Sequence, residues 1–285
     1  MNSVPDAFLD SVCCQLNRTD LHRLKDTCTL WSVKATIHDS KRRELQVSLN
    51  VNYEQTEVGI WIEGLETIST INPRYDKIGH IEVGFLSIDV LHEKTSLECF
   101  KKKVIPVLRS LAFDCALQFA SSNSFLSDLS ESIFSGLHGC NQLTVIYTEN
   151  YACNCPEFIK HQISLGRLKM LILNGDWPAD LQAALRLFVR SPNFALLDLR
   201  RSNLTIDIYM VIAFVERFLR GDFSRVTELQ GRPSFPLTWL EELHHDKQQL
   251  HYRTQWDMFV QWVRPSGGRL TAKHISDSHI CLCSY

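Results

Sequence analysis

Cysteine is the most nucleophilic side chain this sequence offers, and its spacing argues against its use. Ten cysteines occur among 285 residues, with close pairs at Cys13-Cys14, Cys153 with Cys155, and Cys281 with Cys283. A structural zinc site typically has two thiolates with two residues between them and a second ligand pair to complete a tetrahedron. None of these pairs has that gap, so no metal site is expected. Asp6 and Asp10 interrupt the first apolar positions as no secretory signal would, and no run of about 20 apolar residues could span a bilayer. A cytoplasmic or nuclear location is expected. Thiols stay reduced there, and the cysteines read as small buried hydrophobes rather than disulfides. Cys281 and Cys283 share one face of a terminal strand, where core packing accounts for them.

The remaining chemistry is equally sparse. His244, His245, His274 and His279 cluster in the tail and are the bases available to Cys153 or Cys155, but the spacing supplies no orienting third group. No phosphate-cradling glycine loop, nucleophile elbow or metal-ligating helix motif occurs, and glycines number only twelve. No catalytic residue and no cofactor are expected. A formal net charge of −2 gives no bulk attraction to nucleic acid or anionic lipid. The dense basic runs, Lys41-Arg42-Arg43 and Lys101-Lys102-Lys103, read as solvated faces, so neither a nucleic acid nor a membrane is an expected partner. With 45% apolar and 22% charged residues the chain can bury a sizeable core in two or three units.

What positions a binding surface begins at the N-terminus. Phe8, Val12 and Leu16 recur every four residues behind Pro5, as an amphipathic helix with one buried stripe requires. Asn17 to Asp20 interrupts that pattern, and Thr19 or Asn17 can cap a second helix in which Leu21 and Leu24 share a face. A third helix surrounds Trp31. About forty residues cannot bury so many apolar groups alone, so part of this surface must meet another part of the chain or a partner.

Taken together, Val4-Pro5, Phe8, Val12, Leu16, Asp20-Leu21, Leu24, Cys28 and Trp31 form a gap-free series that resembles an F-box. It spans residues 4–31, about a tenth of 285. Val4 stands where F-boxes carry leucine. Thr27 stands where they carry valine, and there it would bury a hydroxyl that needs a partner. In layout the chain resembles the expanded nematode family of F-box proteins with a long associated region. The resemblance implies that Val4, Pro5, Phe8, Val12, Leu16, Leu21, Leu24 and Trp31 dock a Skp-type adaptor and, through it, a cullin. The chain would then be the substrate-recognition adaptor of a ubiquitin ligase, presenting an unknown protein substrate and doing no bond chemistry itself. The alternative is a protein-binding scaffold with no ligase role, in which residues 4–38 merely pack as an N-terminal cap.

Behind residues 1–43 the pattern predicts an α/β protein. Residues 44–94 form a β-rich connector: Leu45, Val47, Leu49 and Val51 alternate, as do Val58, Ile60 and Ile62, which predicts a hairpin, and a second extended region runs through Ile78, Ile81, Val83 and Phe85. Residues 95–232 repeat helix then strand. Strand pairs fall at Leu117/Phe119, Val145/Tyr147, Leu171/Leu173 and Leu197/Leu199, spaced 28, 26 and 26 residues apart. Helical stripes lie at Leu97, Phe100, Val104, Val107, Leu108 and Leu111; at Leu126, Leu129, Ile133 and Leu137; at Leu181, Ala184, Leu185, Phe188 and Val189; and at Ile208, Ile212, Val215 and Leu219. This period predicts a degenerate leucine-rich-repeat-like solenoid, the alternative being a compact α/β domain of alternating helix and strand. Asn203 and Asn123 come after their strand leucines at the repeat's asparagine offset, Asn150 comes one position early, and Gly175 takes a turn role.

If the strand pairs point inward, their neighbours Gln118, Thr144, Ile146, Ile172, Asn174, Asp198 and Arg200 line the open face and are the candidate substrate-binding residues. Buried parallel strands are commonly apolar on both faces, which accounts for Ile146 and Ile172 equally. Residues 233–285 carry Trp239, Trp256, Trp262 and Tyr252 in short segments, with a final hairpin of Leu270 to Ile275 and Ile280 to Tyr285. Such a β-rich aromatic module is expected to cap the open end of the repeats, the alternative being a ligand-binding role.

Overall fold

Asn17 decides where the N-terminal helices divide. Its side-chain oxygen accepts a hydrogen bond from the Asp20 amide at 2.7 Å, ending α1 (Asp6–Gln15) and starting α2 (Arg18–Lys25); α3 (Thr29–Lys41) comes next. The computed structural model describes residues 4–27, 29–120, 126–223, 226–244, 248–252, 258–264, 267–276 and 279–285, so Cys28, Asn123, His245 and Trp256 lie outside the described residues. The chain divides into two units, Met1–Cys115 and Ala116–Tyr285.

In the first unit the buried stripe of α1 is Leu9 and Cys13, one residue round from the expected Phe8 and Val12. Cys13, Leu21 and Ala35 form the helical core, with Leu16, Leu24 and Trp31 packed against it. The expected burial of Thr27 does not occur. Thr27 is exposed and its hydroxyl donates to the Leu24 carbonyl at 2.7 Å, so the helix end satisfies it locally. Strand β1 (Arg43–Val51) pairs antiparallel with β2 (Glu57–Ile62) in the expected hairpin and parallel with β3 (Asp76–Val83), while β4 (Glu93–Ser96) pairs antiparallel with β2. β3 stops at Val83 because Gly84 turns with φ 81°, which leaves Phe85 exposed rather than in the strand. Next come α4 (Leu97–Cys99), a π-helical segment (Phe100–Val104) and α5 (Ile105–Leu111). Pro106 lacks an N–H and crowds the carbonyl four residues back, and the widened turn before it accommodates both.

The second unit alternates strand and helix: β5 (Ala112–Phe119, entering this unit at Ala116), α6 (Ser127–Leu137), β6 (Leu143–Glu149), α7 (Cys155–Ser164), β7 (Met170–Asn174), α8 (Leu181–Arg190), β8 (Leu196–Asp198), β9 (Thr205–Ile206), α9 (Ile208–Arg220) and β10 (Thr227–Pro233). A short α10 (Trp239–Glu242) precedes β11 (Gln248–Tyr252), β12 (Met258–Val263), β13 (Arg269–Ser276) and β14 (His279–Ser284). The mixed sheet runs β11-β12-β13-β14-β10-β8-β7-β6-β5. β6, β7, β8 and β10 are parallel neighbours in chain order, so right-handed crossovers bring their helices to one face, where α6 to α9 pack each on the next.

Register then fixes which side chains meet those helices. Ile146, Leu171, Leu197, Leu229, Leu282, Ala272 and Val260 align across seven strands, and all are buried. Ile146 therefore belongs to the inner face, with Thr144 and Thr148, and the expected inward pair Val145 and Tyr147 points to the other side. Two helices also differ from expectation. α7, with Phe158, Ile159 and Ile163 inward, falls where no stripe was singled out, and α9 buries Met210, Val211, Phe214 and Phe218 while Ile208, Ile212 and Leu219 are half-buried. β13 and β14 form the expected final hairpin, and β14 joins antiparallel to β10. Trp262 is buried with its ring N–H donating to the Leu243 carbonyl at 2.8 Å.

Candidate interaction surfaces

The N-terminal helices bury few of their large apolar groups. Val4 is 42% exposed, Phe8 54%, Leu30 57% and Val33 53%. Phe8 meets the edge of the Trp31 ring at 6.4 Å between centroids, and Pro5 is exposed beside it in the chain. Val12, Leu16, Leu24 and Trp31 are half-buried, and Leu21 is fully enclosed. Leu21 therefore supports this surface from below, whereas Val4, Phe8, Leu30 and Val33 form its outside. The F-box-like series does not include Leu30 and Val33. Their signal was present: Leu30, Val33 and Ile37 follow helical spacing on the side of α3 away from Ala35 and His38, so α3 is apolar on two sides.

Ionic clamps hold the three helices in register. The Asp39 carboxylate, nearly buried, receives Lys25 at 2.5 Å and Arg18 at 3.3 Å, and Lys34 reaches Asp6 at 2.7 Å. The Lys25 hydrogen bond holds the Asp39 carboxyl below the usual carboxylate range. Buried His38 binds Asp10 through Nε2 at 2.8 Å, and Arg74 binds the same oxygen. Burial pushes the Asp10 carboxyl up, but the His38 and Arg74 hydrogen bonds outweigh it and hold it low. Asp10, Cys14 and His38 have ligand atoms within 4.8 Å of one another, but Arg74 already neutralises the carboxylate and Cys14 donates to the Arg74 carbonyl, so this cluster acts as a clamp. Arg42 closes the arrangement by donating to the Cys13 carbonyl at 2.7 Å at the end of α1, where a cation complements the helix dipole.

In the second unit the sheet face opposite the helices carries two aligned rows. One runs Val145, Met170, Leu196, Glu228, Cys283 and Thr271, the other Tyr147, Ile172, Asp198, Gln230, Cys281 and Lys273. Of the candidate residues, Gln118 and Ile172 are half-buried on this face, and Asn174 lies there covered by Tyr147, whose hydroxyl accepts from Asn174 Nδ2 at 3.0 Å. Asp198 is held by a bidentate ion pair with exposed Arg200, at 2.6 Å for the closer contact. Thr144 and Ile146 are not on this face. The face is thus apolar over β6 and β7 and becomes polar and thiol-bearing from β8 onward.

Between strands and helices, asparagines stitch successive loops. Asn150 donates to the Asp176 carbonyl at 3.0 Å, and Asn203 brackets Trp177 by accepting from its N–H at 2.8 Å and donating to its carbonyl at 3.0 Å, each pair 26 residues apart in sequence. Gly175 turns with φ 77°, as its expected role requires.

The thiols nearest these loops are poorly suited to nucleophilic work. Cys155 is fully buried, and burial pushes its thiol far up from the ordinary range. Cys153 is exposed in a depression lined by Ser127, Glu131, Asn150, Tyr151, Ala152, Pro156 and Pro178, with no histidine among the described lining residues. Among the described residues no helix is long and apolar enough to cross a membrane. In comparisons with known proteins, no family model and no curated protein matches the chain.

Proposed function

We propose that this chain is the substrate-recognition adaptor of a Skp-cullin-F-box ubiquitin ligase, with residues 4–31 as its F-box. The observation that carries this reading is the exposure of Val4, just ahead of α1, and of Phe8, Leu30 and Val33 on helices whose opposite sides are already filled. Apolar groups left out of a core by their own helices are the kind a partner covers. Val4, Pro5, Phe8, Val12 and the rim of Trp31 would contact the Skp-type adaptor, while Leu16, Leu21 and Leu24 shape the surface from within. The second unit would act as a leucine-rich-repeat-like region. Its 26-residue asparagine contacts and its helices gathered on one face support that reading. A protein substrate would lie on the open face over Val145, Met170, Ile172 and Tyr147, apolar and edged by Asp198 and Arg200.

The mechanism is proximity. Holding the substrate near an activated thioester carried by another subunit raises its effective concentration, and the rate gain comes from lost diffusional freedom. The test is co-expression with a Skp-type adaptor, then capture through a tag on this chain. The Phe8→Ala, Val33→Asp double variant is expected to lose capture while keeping its thermal midpoint, because both residues lie outside the helical core. Undiminished capture by the variant would sink the assignment. No capture by the wild-type chain would leave the scaffold without a ligase role in its place.

A further inference from the structure

β14 alternates Cys281 and Cys283 with Ile280, Leu282 and Ser284, so both thiols, themselves nearly buried, lie on the sheet face opposite the helices. Across the β10–β14 ladder Cys283 stands opposite Glu228 and Cys281 opposite Gln230. The Cys281 and Cys283 sulfurs and the Glu228 carboxylate come within 4.8 Å of one another as potential ligands. We infer that Glu228, Cys281 and Cys283 form a Zn2+ site with the fourth position left to water.

Two thiolates and one carboxylate suit zinc, which accepts mixed sulfur and oxygen donors, better than copper(I), which prefers an all-soft set. The site is also oriented. Gln230 is nearly buried, and its side-chain N–H donates to Glu228 Oε2, which fixes the carboxylate toward the thiols. The same Gln230 leaves its Oε1 buried without a partner, an acceptor that a zinc-bound water would satisfy. Glu228 makes no ion pair among the described residues, and nearby Arg200 is committed to Asp198.

The sulfurs lie 2.7 Å apart, a contact in which either thiol can donate to the other. A disulfide is the poorer use of this pair. Residues two apart on an extended strand sit about 6.6 Å apart at Cα, the far end of the disulfide range. Two Zn–S bonds of about 2.3 Å at a tetrahedral angle need the sulfurs roughly 3.8 Å apart, which small side-chain rotations supply. Binding converts two thiols and Zn2+ into a dithiolate complex and releases the thiol protons still present.

The test begins with full-length protein reduced and stripped of metal, then titrated with Co2+ and with Zn2+ against a chromophoric chelator. One Zn2+ per chain and a thiolate-to-cobalt charge-transfer band are expected. Both should vanish in Cys281→Ser, Cys283→Ser, while Cys14→Ser keeps them. Gln230→Ala should weaken affinity about tenfold through lost orientation, and Glu228→Gln at least as much. If the double serine variant fails to fold, the cobalt band of the wild type and its weakening in Glu228→Gln decide the matter. Absence of the band in the reduced wild-type chain, or a band unchanged by Glu228→Gln or by loss of both cysteines, would overturn the site.

Discussion

The N-terminal helices and the parallel strands of the second unit draw on the same apolar residue types and dispose of them in opposite ways. Across β6, β7, β8 and β10, one register line of Ile146, Leu171, Leu197 and Leu229 is wholly buried under one layer of helices. A strand has two faces, and a single covering layer satisfies one of them completely. A helix presents side chains all round, and three short helices cannot cover each other on every side. Hence, among the described residues, α1 to α3 share a small core centred on Cys13, Leu21 and Ala35 with three half-buried neighbours, and leave Phe8, Leu30 and Val33 outside. Several large apolar residues of the first region thus stay outside its helical core, whereas this register line of the second is fully enclosed.

Substitutions can break that contrast. Leu197→Ala, in the middle of the buried line, is expected to lower unfolding free energy by about 3 kcal/mol, because neighbouring strands and helices prevent the cavity from collapsing; chemical denaturation measures it. Asp39→Ala is expected to cost about 2 kcal/mol by releasing Lys25 and Arg18. Its pH dependence has a definite sign. The folded-state carboxyl is held low, so Asp39 stabilises the fold above the unfolded value of about 3.9 and loses that contribution as pH falls through the folded-state value. Denaturation at descending pH should therefore bring wild type and Asp39→Ala together, and a gap that persisted under strong acid would contradict the clamp. Phe8→Ala is expected to change stability by less than about 0.5 kcal/mol. A loss comparable to that of Leu197→Ala would place Phe8 in a core and erase the contrast.

Much of this fold could be read from the residues. The alternation of Leu45 to Val51 with Val58 to Ile62 predicted the β1–β2 hairpin, and the polar Ser276-Asp277-Ser278 break between two strand-forming runs predicted the one between β13 and β14. Asn17 was legible as a cap because short polar side chains satisfy free helix amides. Phase was harder. In α1 and α9 apolar residues sit on adjacent positions, Phe8 beside Leu9 and Met210 beside Val211, so spacing alone fits two rotations and only packing selects one. β6 failed for the same reason: Val145, Ile146 and Tyr147 are all strand formers, and pairing with β7 chose the face. The pairing of Glu228 with Cys283 was beyond any local pattern, since ligands on separate strands have no characteristic spacing until the ladder forms.

The position of β14 has a consequence for the order of assembly. It lies between β10 and β13, hydrogen-bonded on both sides, although it comes after both in sequence. During synthesis the parallel strands can add one after another, and β11 to β13 can fold back as a meander. Until β14 emerges, β10 and β13 each present an unpaired edge open to any passing strand. One late segment thus converts two adhesive rims into continuous sheet, and a chain halted before His279 would be prone to aggregation even with every other element made.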